Sequence, residues 1–217
     1  MTSVEVLGWV ATVVGAVLAT PQLIRLVRTR NVEGLSLVGW QTALVLNIAW
    51  TVHGINIGQL PQILSSSLAL FTTVPILVLM TQALGRRFVP TILPSLAVAA
   101  VMIAVDLIWG SAAYGIVAIF PGIAITAAQS VELVRAEHVR GVSPVSLTLG
   151  FINLTLWVVW AFLVNDSGTM IAVSVSWVVA VFNMIWYWLR RFGLRSFFSP
   201  VPDPVAVPVQ ACVGSSE

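Results

Sequence analysis

Trp50 and Trp157 stand 107 residues apart, each fourteen residues beyond a serine, Ser36 and Ser143. An indole offers a broad apolar face that stacks on the apolar face of a ring-shaped solute, while its N–H finds a polar partner. Asn47 lies three residues before Trp50, and Asn153 four before Trp157, so each amide falls on the tryptophan's side of a helix. Ser66, Ser67 and Ser174 add hydroxyls farther along. Aromatic faces with neutral donors and acceptors suit a small uncharged polar solute. The same residues have structural uses: tryptophans pack and populate membrane interfaces, and Asn and Ser bond across packed membrane helices.

Other chemistries find little to work with. The sequence contains no metal-ligand cluster, phosphate-cradling glycine loop or Ser-His-Asp arrangement, so catalysis is set aside and no metal or cofactor is implied. Ionisable groups inside a membrane are expensive and usually functional. Glu5, Asp106 and Asp166 map to the outer ends of apolar runs, and Glu33, Glu132, Glu137 and His138 to the opposite boundary. No carboxylate is expected at mid-membrane, and His53, though able to titrate near neutral pH, reads as a hydrogen-bonded spacer. Movement driven by the solute's own gradient is the simpler expectation.

A second kind of chemistry is mechanical. The stretch TPQLIRLVRTRNVEGLSL, residues 20–37, places Pro21 and Gln22 just before a cluster of arginines. Proline inside a helix removes a hydrogen bond and kinks it, and in lipid the freed carbonyl needs another partner. The Gln22 amide offers both donor and acceptor. The pair is expected to hinge the first helix, with Gln129 as a softer counterpart helped by Pro121 and Gly122; a static kink is the alternative.

The elements that position these residues follow from composition. Of 217 residues 59% are hydrophobic and 8% charged, against about 25% charged in a soluble domain, and the mean hydropathy is +1.00. Seven stretches approach the roughly 20 residues that cross a hydrocarbon core: Val6–Val27, Leu37–Ile57, Ile63–Gln82, Val89–Ile108, Tyr114–Val134, Leu147–Val164 and Met170–Leu189. There is no lysine, and all ten arginines fall in the last turn of, or after, the first, third, fifth and seventh stretches. Because Lys and Arg near helix ends stay cytoplasmic, the N-terminus is expected outside and the C-terminus inside, in a multi-pass cell-membrane protein. The pI of 9.3 is then a signal of orientation, and no nucleic-acid partner is expected beside the lipid bilayer and the solute. A homo-oligomer stays open. The start MTSVEV lacks a signal peptide's basic front, Cys212 has no second cysteine to pair with, and the proline-rich residues 191–217 read as a disordered tail.

Shifted by 107 places, Gly8–Trp50 matches Gly115–Trp157 at 13 of 43 positions without a gap. Gln22/Gln129, Arg28/Arg135, Ser36/Ser143 and Trp50/Trp157 are among them, and hydrophobicity alone does not produce shared polar residues in one register. Two like-oriented three-helix units separated by one helix, 3+1+3, are one recurring transporter plan. The fold class is thus all-α membrane, with a first repeat at 1–82, a linker helix at 83–110 and a second repeat at 111–190.

These residues resemble the SWEET and SemiSWEET sugar transporters of the PQ-loop superfamily. TPQLIRLVRTRNVEGLSLV is similar to that family's run from a Pro-Gln pair to a Gly-hydrophobic-Ser helix entry, WTVHG (50–54) to its Trp-x-x-Tyr-Gly with His53 in the tyrosine place, and Pro61 to the proline that opens its third helix. The second repeat keeps Gln129, Gly141, Ser143 and Trp157, with Ala128 for the proline and Trp160-Ala161 for Tyr-Gly. The resemblance implies a passive alternating-access facilitator, a uniporter of small neutral solutes with sugars first. Its sugar-binding asparagine, five residues past that proline, is Ser66 here and Val173 in the second repeat. An amino-acid or vitamin carrier of the same superfamily, and a non-transporting seven-helix receptor or scaffold, therefore stand as alternatives. Trp50, Trp157, Asn47, Asn153, Ser66 and Ser174 are the expected substrate contacts.

Overall fold

A computed structural model of the chain describes residues 2–32, 35–135 and 144–192. Glu33, Gly34, Glu137, His138, Arg140, Gly141, Ser143 and the tail beyond residue 192, with Arg195 and Cys212, lie outside the described residues, as do the side chains of Gln129 and Glu132.

The described residues form six α-helices: α1 (Ser3–Thr29), α2 (Leu37–Asn56), α3 (Leu60–Ala83), α4 (Phe88–Arg135), α5 (Pro144–Val164) and α6 (Ser167–Arg191). Local chemistry sets their starts. Glu5 N donates to Thr2 Oγ1 at 3.3 Å and Thr2 N to Glu5 Oε2 at 2.8 Å, a reciprocal cap that satisfies two orphan donors. Gly39 N donates to Ser36 Oγ at 3.0 Å to open α2. Pro61 falls in the first turn of α3, where its missing N–H would have no helical partner.

Five of the helices, α1, α3, α4, α5 and α6, are long and apolar enough to cross a membrane, which makes this a multi-pass membrane protein. Large apolar side chains on their outward faces fit contact with lipid tails: Phe71 and Phe120 are both 74% exposed. The seven expected spans thus meet six helices, five of them clearly apolar, and the difference has two sources. The 20 residues of α2 include Gln41, Asn47, His53 and Asn56, which lower its hydropathy. In α4 the fourth and fifth expected spans run together across Gly110, whose backbone (φ 80°, ψ 179°) is not helical and is open essentially to glycine alone. A straight helix of that length would reach about 72 Å. Instead Ala99, Met102, Tyr114 and Ala118 all pack into one cluster with Val45 and Ala49 of α2, so the chain turns back at Gly110.

Packing repeats at the 107-residue offset. In the first half α3 lies against α1 and α2; in the second, α6 lies against α4 and α5, while α1 meets α5 and α2 meets α4. Leu26, Met80, Leu79 and Trp40 share one cluster, and their counterparts Leu133, Tyr187, Trp186 and Leu147 share another. A Cβ on Gly8 would sit 2.7 Å from the Pro61 side chain, and one on Gly115 would sit 2.5 Å from the Gly168 carbonyl oxygen. Pro61 and Gly168 are again repeat mates, so both close approaches join equivalent helices. The Leu26 and Leu133 clusters mark the end that carries Arg28, Arg86 and Arg190. The Gly8 and Gly115 contacts mark the other end, arginine-free among the described residues.

Candidate functional site

Between the halves, nearer the arginine-free end, is a cavity of about 190 Å³ lined by Trp50, Gln62, Ser65, Ser66, Leu154, Trp157, Thr169 and Val173. Three pairs of repeat mates are among its lining residues: Trp50 with Trp157, Gln62 with Thr169, and Ser66 with Val173. The two tryptophans are held alike. Each meets the side chain three residues on, edge to face: His53 at 5.5 Å from Trp50, and Trp160 at 5.3 Å from Trp157. His53 and Trp160 are themselves repeat mates and both fully buried. Tyr114 backs Trp50 from a second side at 4.9 Å.

The polar lining has unused capacity. Gln62 is 3% exposed and Thr169 2%, yet both side-chain atoms of the Gln62 amide and the Thr169 hydroxyl lack a hydrogen-bond partner. Leaving such a buried group unpaired costs about 1–3 kcal/mol, so these atoms are poised for a ligand's hydroxyls or amides. None of the described lining residues is charged. An uncharged cavity with aromatic walls and open donors and acceptors can hold one small neutral polar molecule.

One helical turn toward the arginine-free end lies a cluster that sequence reasoning treated as separate helix-end groups. His53 Nδ1 is 2.9 Å from Asp106 Oδ2, and its Nε2 is 3.1 Å from Asp166 Oδ2. Both carboxylates are buried. Asp106 also accepts from Asn56 Nδ2 at 2.8 Å, and Asp166 from Ser111 Oγ and from Thr169 N at 2.9 Å. Burial works against the charge of Asp166, in the turn between α5 and α6, but the hydrogen bonds from His53, Ser111 and Thr169 outweigh it and hold its carboxyl below the usual carboxylate range. His53 is hydrogen-bonded, as expected of it, but its partners are two carboxylates 53 and 113 residues away, a separation that no local pattern reveals.

Residues 4–63 match the family model of the PQ loop repeat. The first repeat resembles a PQ-loop repeat. The match covers Pro21, Gln22, Ser36, Trp50, His53 and Pro61, and it supports a likeness to the PQ-loop superfamily. No curated protein matches the chain.

The remaining expected residues fall in different places. Ser66 lines the cavity beside Ser65. Asn47 does not: its Nδ2 donates to Thr73 Oγ1 at 3.0 Å, tying α2 to α3. Asn153 stands behind the wall, where a Cβ on Gly15 would lie 3.6 Å from its Oδ1 and 3.9 Å from Ser65 Oγ; that Oδ1 has no partner. Ser174 is half-buried and off the lining; its neighbour Val173 faces the cavity instead. α1 continues through Pro21, which lies exposed in a shallow apolar groove with Val17, Thr20 and Leu68. The expected bond from Gln22 to the freed carbonyl does not form, since Gln22 Nε2 is buried and donates to nothing. Thr20 Oγ1 donates to Ala16 O at 2.7 Å, one residue before the Val17 carbonyl that Pro21 leaves without its helical donor.

Proposed function

We propose that the protein carries one small neutral polar solute at a time, sugars of monosaccharide size first, by alternating access between two three-helix units. In this reading the units are residues 1–82 and 111–190, residues 83–110 form the span between them, and Gly110 joins span four to span five. The 107-residue equivalence of the Leu26 and Leu133 clusters, and of the Gly8–Pro61 and Gly115–Gly168 approaches, supports this 3+1+3 plan. Gathering of the described arginines at one end supports a cytoplasmic C-terminus.

The single observation that carries the functional reading is a cavity shared by equivalent residues of both halves, neutral and with Gln62 and Thr169 unpaired. Its volume of about 190 Å³ is below the ~300–1,000 Å³ common for drug-sized ligands, which favours one sugar ring. A zwitterionic amino acid would bury two charges among residues that carry none, a costly arrangement. In α1, Pro21 is the proposed hinge, with Gln129 as its counterpart in α4.

Counterflow in vesicles of purified protein, run with mono- and disaccharides, tests the proposal. Saturable exchange of a monosaccharide is expected. Absence of saturable flux for every sugar would overturn it, and binding without exchange would point to a receptor or scaffold.

A further inference from the structure

Solute recognition leaves unused the buried cluster of His53, Asp106 and Asp166, whose side chains are 0%, 4% and 5% exposed. A neutral imidazole has one N–H and one acceptor nitrogen, yet both ring nitrogens face carboxylate oxygens. Both contacts are hydrogen bonds only when the cluster holds a second proton, on the ring or on a carboxyl. The titratable groups facing His53 are Asp106 and Tyr114 from α4 and Asp166 from the α5–α6 turn; the Tyr114 ring stacks on the imidazole at 4.4 Å.

The position of the cluster gives that proton leverage. Its three members come from α2, from α4 just before Gly110, and from the start of α6. The cluster joins both halves and the stretch between them at the arginine-free end. It touches the cavity twice, since Trp50 packs on His53 and Thr169 N donates to Asp166.

We propose that this cluster is a proton-binding site that latches the arginine-free end of the cavity. With the second proton bound, His53 bridges both carboxylates and the end is closed. When that proton leaves to solvent, one of the two bonds is lost, two carboxylates flank a neutral ring, and the end opens. The latch rests on the transport reading for its purpose, but its proton chemistry does not depend on what solute is carried.

The test uses the full chain in lipid nanodiscs without any solute. Spin labels are placed at Leu60→Cys and Ile108→Cys, both exposed at that end, in a Cys212→Ser background, and their separation is read by pulsed electron resonance between about pH 5 and about pH 9, the range in which a histidine site titrates. The short distance should dominate at low pH and give way to a longer one as pH rises, the ratio changing up to about tenfold per pH unit as one proton leaves. His53→Gln should abolish the pH dependence. Asp106→Asn should stay closed throughout, because the new amide can donate to the unprotonated ring nitrogen. Distances independent of pH in the unaltered cluster, or the same slope in His53→Gln, would overturn the latch. Because no solute is present, that failure is separate from failure of counterflow.

Discussion

The two halves put equivalent positions around one cavity and fill them with different chemistry. The first repeat supplies Gln62, Ser65 and Ser66; the same places in the second hold Thr169, Ala172 and Val173. Behind the tryptophans the first repeat has a titratable ring, His53, and the second an indole, Trp160. At the start of their third helices the first uses Gln59, which makes no side-chain cap, and the second Asp166, which caps and ion-pairs. The lesson is a division of labour. Helix contacts and aromatic walls are duplicated, while the polar groups that line the cavity are concentrated in one repeat and charge in the cluster that joins the two.

The comparison can be broken first at the helix contacts. Gly115→Ala pushes a methyl against Gly168 backbone, whereas Gly8→Ala meets the Pro61 and Trp160 side chains. Overpacking costs about 1–3 kcal/mol, and Gly115→Ala should lie at the upper end and exceed Gly8→Ala in thermal unfolding in detergent. Equal losses would mean that the two close approaches are not held differently. Next, Gln62→Leu should weaken solute binding about tenfold, the effect of losing roughly 1.4 kcal/mol, with Thr169→Val costing less because it removes a single hydroxyl. If Thr169→Val proves the more damaging, recognition sits in the second repeat.

Smaller effects concern motion and scaffold. Pro21 in the first repeat aligns with Ala128 in the second, so Pro21→Ala should slow exchange several-fold while leaving equilibrium binding near its original value; a helix kink alters the path between states more than the site. Binding and flux falling together would remove the hinge. Asn47→Ala should cost about 0.6 kcal/mol of stability, typical of an interhelical bond in a membrane protein, with no change in solute affinity. A loss of affinity would return Asn47 to the site.

Much of this architecture is legible in the sequence because it repeats. Apolar run lengths, arginines after alternate runs, and the Gln, Arg, Ser and Trp identities at one offset give the helices and bring Trp50 and Trp157 into register. Ser36 and Pro61 open α2 and α3 where the motifs place them. What stayed hidden depends on contact or on direction. Gln62 and Thr169 are repeat mates of different type, so a search for identities passes over them. Asn47 and Asn153 have the right spacing to sit beside the tryptophans, but spacing does not say whether an amide turns to the cavity or to a neighbouring helix. Gly110 looks like the end of one span and serves as a turn inside α4. The meeting of His53 with two distant aspartates requires the packed fold.

The most direct measurement is equilibrium binding of a monosaccharide to purified protein, with its stoichiometry, in the unaltered chain and in Trp50→Ala and Trp157→Ala. One solute per chain, with affinity falling at least tenfold in each variant, is the expected result for a single site walled by both repeats. Two solutes per chain, or affinity that survives loss of either indole, would contradict it.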